Sequence, residues 1–358
     1  MKERVVVGMS GGVDSAVTAM LLKDQGYDVV GVFMNNWEEE GKDGVCTAEG
    51  DWRDVRAICD HLDIPYYSVN FARDYWDRVF TVFLDAYRRG YTPNPDVLCN
   101  REIKFSAFLD FAMKLGASSM ATGHFVRRDE AGHLLKGVDG NKDQSYFLYM
   151  VKDFQLRRAL FPLGGMTKVQ VRALAEERGI PVSRKKDSTG VCFIGERNFR
   201  TFLAQYLPAQ PGNMVSVDGE VLGAHQGLMY YTLGQRKGLG IGGRGDGRSW
   251  FVVEKDLARN HLVLAQGEDH PLLYASGCVC GEVTWVAEAP AAEGIPFRCM
   301  GKFRYRQDDQ PLEVTWQGDR LIVRALVPQR AVTPGQSLVI YQEDRCLGGG
   351  IIQEVKRA

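Results

Sequence analysis

Residues 5–7 form an apolar run that breaks at Ser10-Gly11-Gly12 and resumes as a helix-forming series from Ser15 to Leu22. That order leaves one economical local structure: a strand, a tight turn and a helix N-terminus. Gly11 and Gly12 bring bare backbone close to a ligand. First-turn amides and the helix dipole then favour a phosphate at the turn. The lysine-bearing nucleotide loop is excluded, because G-x-x-x-x-G-K-[ST] fails and no lysine follows the glycines.

The same alternation continues through the first half of the chain. Strand-like runs at 5–9, 28–34, 66–71 and 119–124 are separated by helix-like runs at 14–25, 51–62, 74–89 and 102–115. Such spacing predicts an α/β fold, a doubly wound parallel sheet, with ligands beyond the carboxyl ends of its strands. Residues 10–15, 34–37 and 122–124 fall at such ends. A further helix is predicted from Thr167, as N-cap, to Arg178, with Gly179 stopping it, and another over 198–206. Two prolines and a glycine within 207–212 mark a boundary. Beyond it, short β-rich segments separated by turn signals, among them an Asp218-Gly219 hairpin, predict two small antiparallel barrels. The expected division is 1–207, then a small β-rich domain over 208–270, then a β-barrel over 271–358.

With 358 residues, 45% of them apolar and 25% charged, the composition is that of a globular chain too long for one core. No apolar stretch reaches the length of a membrane span, so no membrane partner is expected. A strand opening at residue 5 leaves no room for a signal or transit peptide, and the expected location is cytoplasmic. Eight irregularly spaced cysteines then read as free, buried or catalytic rather than as a disulfide framework.

The net charge of −1 hides segregation. Residues 38–63 carry nine acidic and three basic side chains, and residues 157–200 carry ten basic and four acidic. The basic stretch suits either a phosphate backbone or a solvated helical face.

Two thiol segments stand out. Residues 90–100 contain Pro93 and Pro95 and read as a rigid loop presenting Asn94, Asp96 and Cys99 ahead of the next helix. An amide, a carboxylate and a thiol near a helix N-terminus suit base recognition and a lowered thiol pKa, though a Pro-rich turn with a buried cysteine fits as well. Cys192 follows Arg184, Lys185 and Lys186 in a glycine-containing loop, where cations stabilise a thiolate; packing between Val191 and Phe193 is the plainer alternative.

Six segments occur in order: Ser-Gly-Gly-Val-Asp-Ser (10–15), Asn-Pro-Asp-Val-Leu-Cys-Asn (94–100), Ala-Thr-Gly-His (121–124), Asn-Lys-Asp-Gln-Ser-Tyr-Phe-Leu (141–148), Asp-Ser-Thr-Gly-Val-Cys-Phe-Ile-Gly-Glu (187–196) and Gly-Gln-Arg-Lys-Gly-Leu-Gly (234–240). With them the chain resembles, over nearly its whole length, the bacterial tRNA-specific 2-thiouridylases of the ATP pyrophosphatase (PP-loop) group. The resemblance implies an adenine nucleotide alpha hydrolase-like first domain that adenylates its substrate. It implies ATP, with Mg²⁺, held by Gly8, Met9, Ser10, Gly11, Gly12, Val13, Asp14, Ser15, Met34 and Gly123. Asn94, Pro95 and Asp96 would contact the target uridine at wobble position 34. Cys192 would carry a persulfide and Cys99 would be the partner thiol, leaving a Cys99–Cys192 disulfide, with Asp96 as a third catalytic group. Lys142, Asp143, Gln144, His124, Arg304, Tyr305 and Gln336 would touch tRNA, the Lys, Glu and Gln types being implied, and a persulfide-relay protein would donate the sulfur. No resident metal site is implied.

The rival enzyme is another ATP pyrophosphatase, such as a tRNA-lysidine synthetase-like ligase, which needs no paired cysteines. An RNA-binding module with a regulatory nucleotide loop is the non-enzymatic rival. Gly238-Leu239-Gly240-Ile241-Gly242-Gly243 fits G-x-G-x-x-G but precedes a strand-like run rather than a helix, so it is not a dinucleotide fingerprint. Cys278 and Cys280 lack the second pair that a zinc site needs, and His61, His133, His225, His261 and His270 show no ligand spacing.

Overall fold

The computed structural model describes residues 2–38, 47–187, 199–242 and 245–357. Cys46 and Cys192 lie outside them.

The first half builds β1 (Arg4–Met9), β2 (Asp28–Asn35), β3 (Tyr66–Asn70) and β4 (Ser119–Ala121). A hairpin follows, β5 (Val126–Arg128) and β6 (Leu134–Lys136), and then β7 (Ala159–Leu160). Strands β3-β2-β1-β4-β7 form one sheet in which every neighbouring pair is parallel. Alternation along β1 feeds two cores. Val6 packs with Val30, Val32 and Met120 on one face, while Val5, Val7 and Met9 pack with Val29, Phe33 and Ala121 on the other. A strand covered on both faces must be apolar throughout, which is why residues 5–7 show no polar position.

Helices α1 (Val13–Asp24) and α2 (Thr47–Leu62) cover the second face, joined by α5 (Lys168–Glu177). The first face is covered by two longer helical runs, α3 (72–88) and α4 (95–114), and by α6 (Phe199–Ala204). Both long runs widen to π-helix midway, at Trp76–Phe80 and Asn100–Ala107. Thr167 caps α5 as expected, its hydroxyl accepting from the Gln170 amide at 3.3 Å.

One expectation is corrected here. Residues 90–100 are not a loop throughout: α4 begins at Pro95. Asn94 is its N-cap, accepting from the Asp96 N–H at 3.1 Å. Proline at the first helical position loses nothing, since its missing N–H would have no partner there. Asp96 and Cys99 therefore project from a helix, and Cys99 is 2% exposed within the core rather than displayed in a polar loop.

β8 (Gly212–Ser216), β9 (Val221–His225), β10 (Trp250–Asp256) and β11 (His261–Gln266) form a sheet in the order β10-β11-β8-β9. The Asp-Gly hairpin joins β8 to β9, with Gly219 at φ +87. The pairing of β8 with β11 is parallel, which corrects the expectation of a purely antiparallel module. The last part is a closed barrel of β12 (Tyr274–Trp285), β13 (Phe297–Lys302), β14 (Gln310–Gln317), β15 (Arg320–Arg330), β16 (Ser337–Gln342) and β17 (Arg345–Arg357). Its order is β12-β15-β14-β13-β16-β17, and β12 pairs with β17 to close it. Closure removes free edges. The β5–β6 hairpin extends this barrel sheet from β17, a long-range pairing with no local signal. Among the described residues no helix is long and apolar enough to cross a membrane.

Candidate active site

The sheet order reverses direction between β1 and β4, so a crevice opens there beyond the strand ends. The Gly8–Ser15 loop and Gly123 meet in it. Gly11 has φ +71, and a Cβ there would lie 2.8 Å from the Asp51 carbonyl oxygen. Its glycine is required by the approach of α2. A Cβ at Gly12 would meet only Ser10 Oγ at 3.4 Å, which leaves that side of the loop open. Gly12 is the N-cap of α1 and no side chain caps the helix. Ser15 Oγ braces the turn, accepting from the Ser10 amide at 3.2 Å and donating to the Gly12 carbonyl at 3.1 Å. First-turn amides without a capping side chain suit an anion.

Cations absent from the loop reach it from far along the chain. Lys168, the first residue of α5, donates to Asp14 Oδ1 at 2.5 Å and pairs with Asp187 Oδ1 at 2.8 Å. Lys142 and Arg172 also converge on Asp187, at 2.7 and 2.6 Å. Lys185 donates to the Gly11 carbonyl at 3.2 Å and to Asp51 and Asp54 at 2.8 and 2.7 Å. The basic run thus meets the acidic run inside the molecule, and part of the segregated charge is used in pairing. Burial raises the Asp14 carboxyl above its ordinary value, against the pull of Lys168. Burial acts the same way on Asp187, but Lys142 and Lys168 outweigh it and hold that carboxyl at about 2.

The thiol side is carried by α4. Burial raises the Asp96 carboxyl, with Lys104 opposing. Asn100 donates to the Phe147 carbonyl at 3.1 Å. Further along the helix, the Phe105 ring lies 5.9 Å from the His124 ring. Phe108 lies 3.3 Å from where a Gly8 Cβ would be, beside Met34 at 3.2 Å. One helix therefore spans from Asp96 and Cys99 to the nucleotide loop. His124 is 7% exposed and shares a 2.8 Å hydrogen bond with Thr122 Oγ1. Burial, reinforced by Lys104, keeps its imidazole neutral. Three buried amide oxygens near the crevice, on Asn35, Asn36 and Asn100, have no hydrogen-bond partner among the described residues. They are acceptors that a nucleotide or base N–H would satisfy.

The barrel braces this side. Gln336 donates to the Thr92 carbonyl at 2.7 Å, and the Thr92 amide donates to Pro334 O at 2.9 Å, two residues before Asn94. The Tyr305 ring packs against Phe147, tilted by 50° with centroids 4.4 Å apart. Arg304, beside it, is exposed. Asp143 is 5% exposed, and its carboxylate accepts from the Gly137 and Ser145 amides at 3.0 and 3.1 Å. Gln144 Oε1 accepts from the Phe125 amide at 2.9 Å. Of these sequence-singled residues, Arg304 presents a surface, while Asp143, Gln144 and Gln336 hold loops in place.

Sequence reasoning gave Lys168 and Lys104 no role, quoted Asn100 and Asp187 only within motifs, and read Lys185 as a cation near Cys192 where the structure sets it on the Gly11 carbonyl. One signal was available for Lys168: a lysine in the first turn of a helix opposes the macrodipole, and a broken local rule often marks a functional site.

Residues 3–196 match a family model described as tRNA methyl transferase HUP domain. Residues 200–266 match a tRNA methyl transferase PRC-barrel domain, and residues 275–352 an aminomethyltransferase beta-barrel domain. A tRNA-specific 2-thiouridylase MnmA of Alkaliphilus oremlandii (strain OhILAs) is 56% identical over 98% of this chain and 97% of its own length. One from Streptococcus sanguinis (strain SK36) is 56% identical over 98% and 95%. The model descriptions mention methyl transfer and the relatives' names thiolation; near-complete coverage at this identity makes the relatives the more specific guide. By that relationship the chain belongs to the tRNA-specific 2-thiouridylase family.

Proposed function

We infer that this chain is an ATP-dependent tRNA-uridine 2-sulfurtransferase, converting the wobble uridine at position 34 to 2-thiouridine. One observation carries the site reading: α4 joins Asp96 and Cys99 to the loop that receives the nucleotide, through Phe108 against Gly8 and Met34.

The uracil C2 oxygen is a poor leaving group and must first be activated. It attacks the α-phosphorus of ATP; the O2–P bond forms, the bridging P–O bond breaks, and pyrophosphate leaves with the electron pair. The N3 proton is lost in the same activation, with Asp96 as its acceptor. First-turn amides of α1 stabilise phosphate charge. Mg²⁺ takes one or two carboxylates and fills its shell with phosphate and water, and Asp14 is the loop carboxylate that fits this role. When bound it would neutralise phosphate charge.

The terminal sulfur of a Cys192 persulfide then adds at C2 and AMP departs with the oxygen. Cys99 attacks the Cys192 Sγ, forming a Cys99–Cys192 disulfide and leaving sulfur on C2; release as sulfide before attack balances equally. A reductant restores both thiols. Asn94, Pro95 and Asp96 hold the base, which must leave its stack to reach them. Lys142, Asp143, Gln144, His124, Arg304, Tyr305 and Gln336 form or support the tRNA surface, for tRNAs of the Lys, Glu and Gln types. The sulfur comes from a persulfide-relay protein. The functional units run 1–207, 208–270 and 271–358, and the compartment is the cytoplasm, where thiols stay reduced.

Cells lacking the chain should yield tRNA without 2-thiouridine at position 34, read by nucleoside mass analysis. Persisting 2-thiouridine, or pyrophosphate release by the purified chain without tRNA at the same rate as with it, would defeat this assignment.

A further inference from the structure

The turn Gly234-Gln235-Arg236-Lys237-Gly238 has no task in the chemistry above, yet it is firmly built. Its backbone is bonded to β10: the Gly234 amide donates to the Val252 carbonyl at 2.8 Å, and the Val252 amide to the Gln235 carbonyl at 3.0 Å. The Gln235 side chain knits it together. Oε1 accepts from the Thr232 amide at 3.1 Å, and Nε2 donates to the Lys237 carbonyl at 3.0 Å. Arg236 and Lys237 are exposed on this braced turn.

All three parts of the chain meet there. Thr232 Oγ1 shares a 3.5 Å hydrogen bond with Thr92 Oγ1, and Lys255 of β10 donates to the Gly90 carbonyl at 3.1 Å. Thr92 is two residues, at most ~7 Å of chain, from Asn94. On the barrel side, a Cβ at Gly234 would lie 2.6 Å from Ala331 Cβ, so only glycine fits. From α6, the Arg200 guanidinium lies over the Tyr230 and Tyr231 rings at 5.7 and 5.6 Å.

The charge at the turn is uncompensated. Residues 221–245 hold Arg236, Lys237 and Arg244 and no carboxylate. Nearby cations are matched: Arg248 pairs with Asp246 at 2.7 Å and Arg259 with Asp256 at 3.6 Å. Neither the Arg236 nor the Lys237 side chain has an ion pair or hydrogen bond among the described residues. Solubility would be served by cations anywhere on the surface; it does not require a turn braced by Gln235 and seated on Thr92. A base drawn out to Asn94 and Asp96 must carry its backbone across the neighbouring surface.

We propose that Arg236 and Lys237 clamp the RNA phosphates that flank the flipped wobble nucleotide. The planar Arg236 fork suits a phosphate bidentately, and Lys237 adds a point charge. The central β-rich unit thereby holds the backbone while α4 reads the base. The inference rests on the RNA substrate proposed above.

Equilibrium binding to the full-length chain tests it, with an anticodon stem-loop RNA carrying uridine 34 as probe across a salt series. Arg236→Gln combined with Lys237→Gln should weaken binding roughly five- to thirtyfold. The slope of log affinity against log salt should become shallower by about 1.4, two single-strand phosphate contacts. Arg236→Lys, which keeps the charge, should keep the slope. A second RNA carries methylphosphonates at the phosphates on either side of position 34, both RNAs being 2′-O-methylated there. That change should weaken binding to the wild type and add no further loss in the double variant. An unchanged slope, additive losses, or an equal fall in ATP affinity would overturn the proposal. Unchanged RNA binding with less 2-thiouridine in cells carrying the double variant would give the pair to a protein partner and overturn it too. If the RNA results hold and cells lacking the chain still make 2-thiouridine, the thiolation reading fails and the clamp stands. If the wild type thiolates and the double variant keeps its slope, the clamp fails alone.

Discussion

Replacing Gly123 by alanine should damage the nucleotide site through backbone geometry alone. Gly123 follows β4, and a Cβ there would sit 2.9 Å from the Asp14 carbonyl carbon, 3.0 Å from Asp14 Cβ and 3.0 Å from the Ser15 amide nitrogen. Ordinary contact begins near 3.4 Å, so β4 and α1 must part by about half an ångström. Neither side yields easily. β4 is hydrogen-bonded between β1 and β7, and α1 is anchored by buried Val13, Ala16 and Val17. Overpacking of this kind costs about 1–3 kcal/mol. To the extent that the strain displaces the first turn of α1, ATP affinity falls with it, about tenfold for each 1.4 kcal/mol. Titration calorimetry with ATP and thermal unfolding of Gly123→Ala beside the wild type read both quantities. An ATP Kd within about twofold of wild type, with melting shifted by less than ~1 °C, would refute the reasoning, since each kcal/mol moves the midpoint by roughly 1–2 °C at this size.

The Asp187 carboxyl is held at about 2, below its ordinary 3.8, by Lys142 and Lys168 against the effect of burial. A group lowered in the folded state stabilises above its unfolded pKa and loses that stability as pH falls through its folded value. The full shift would correspond to ~2.5 kcal/mol; with 29% of the side chain in solvent, screening brings this toward ~1 kcal/mol. Asp187→Asn should therefore be less stable by about that amount at neutral pH, with the gap closing between about pH 4 and pH 2. Denaturant unfolding across that range checks it, and a gap independent of pH contradicts it. Cys99→Ala, a small substitution at a buried position, should preserve tRNA-dependent pyrophosphate release while abolishing the disulfide to Cys192. Peptide mapping by mass spectrometry after single-turnover sulfur transfer would decide it; loss of pyrophosphate release in a folded variant would place Cys99 in adenylation instead.

The tie between the barrel and α4 gives the third part of the chain a physical role in the site. Gln336 and Pro334 grip Thr92, and the Tyr305 ring packs at a tilt on the Phe147 whose carbonyl Asn100 donates to. Tyr146 donates to the Ser337 carbonyl at 2.8 Å, and Ser337 Oγ donates to the Tyr149 hydroxyl at 3.1 Å. Under the proposed function, a tRNA contacted by the exposed Arg304 would rest on elements already bonded to the helix that carries Asp96 and Cys99.

The doubly wound sheet was legible because its cause is local. Apolar periodicity, the glycines at 11 and 179, and the Thr167 cap each act within a few residues, and within that sheet every strand but the two-residue β7 left a pattern. The order of six short motifs was likewise enough to bring out the family. Local reasoning misjudged residues 90–100, where proline at the first helical position is compatible with the helix it was taken to forbid. Beyond that reach lay everything that depends on which distant groups meet. No spacing rule pairs Arg345 with Leu135 to attach a hairpin to the barrel, sets β8 parallel to β11, or seats Gln336 on Thr92. The clearest case is the charge at the loop. The sequence showed a nucleotide turn without a lysine and two oppositely charged runs far apart; folding brought Lys168 and Lys185 to that turn. Backbone periodicity is written in neighbouring residues, whereas an electrostatic site is a sum over charges in space, and only the packed chain fixes the distances in that sum.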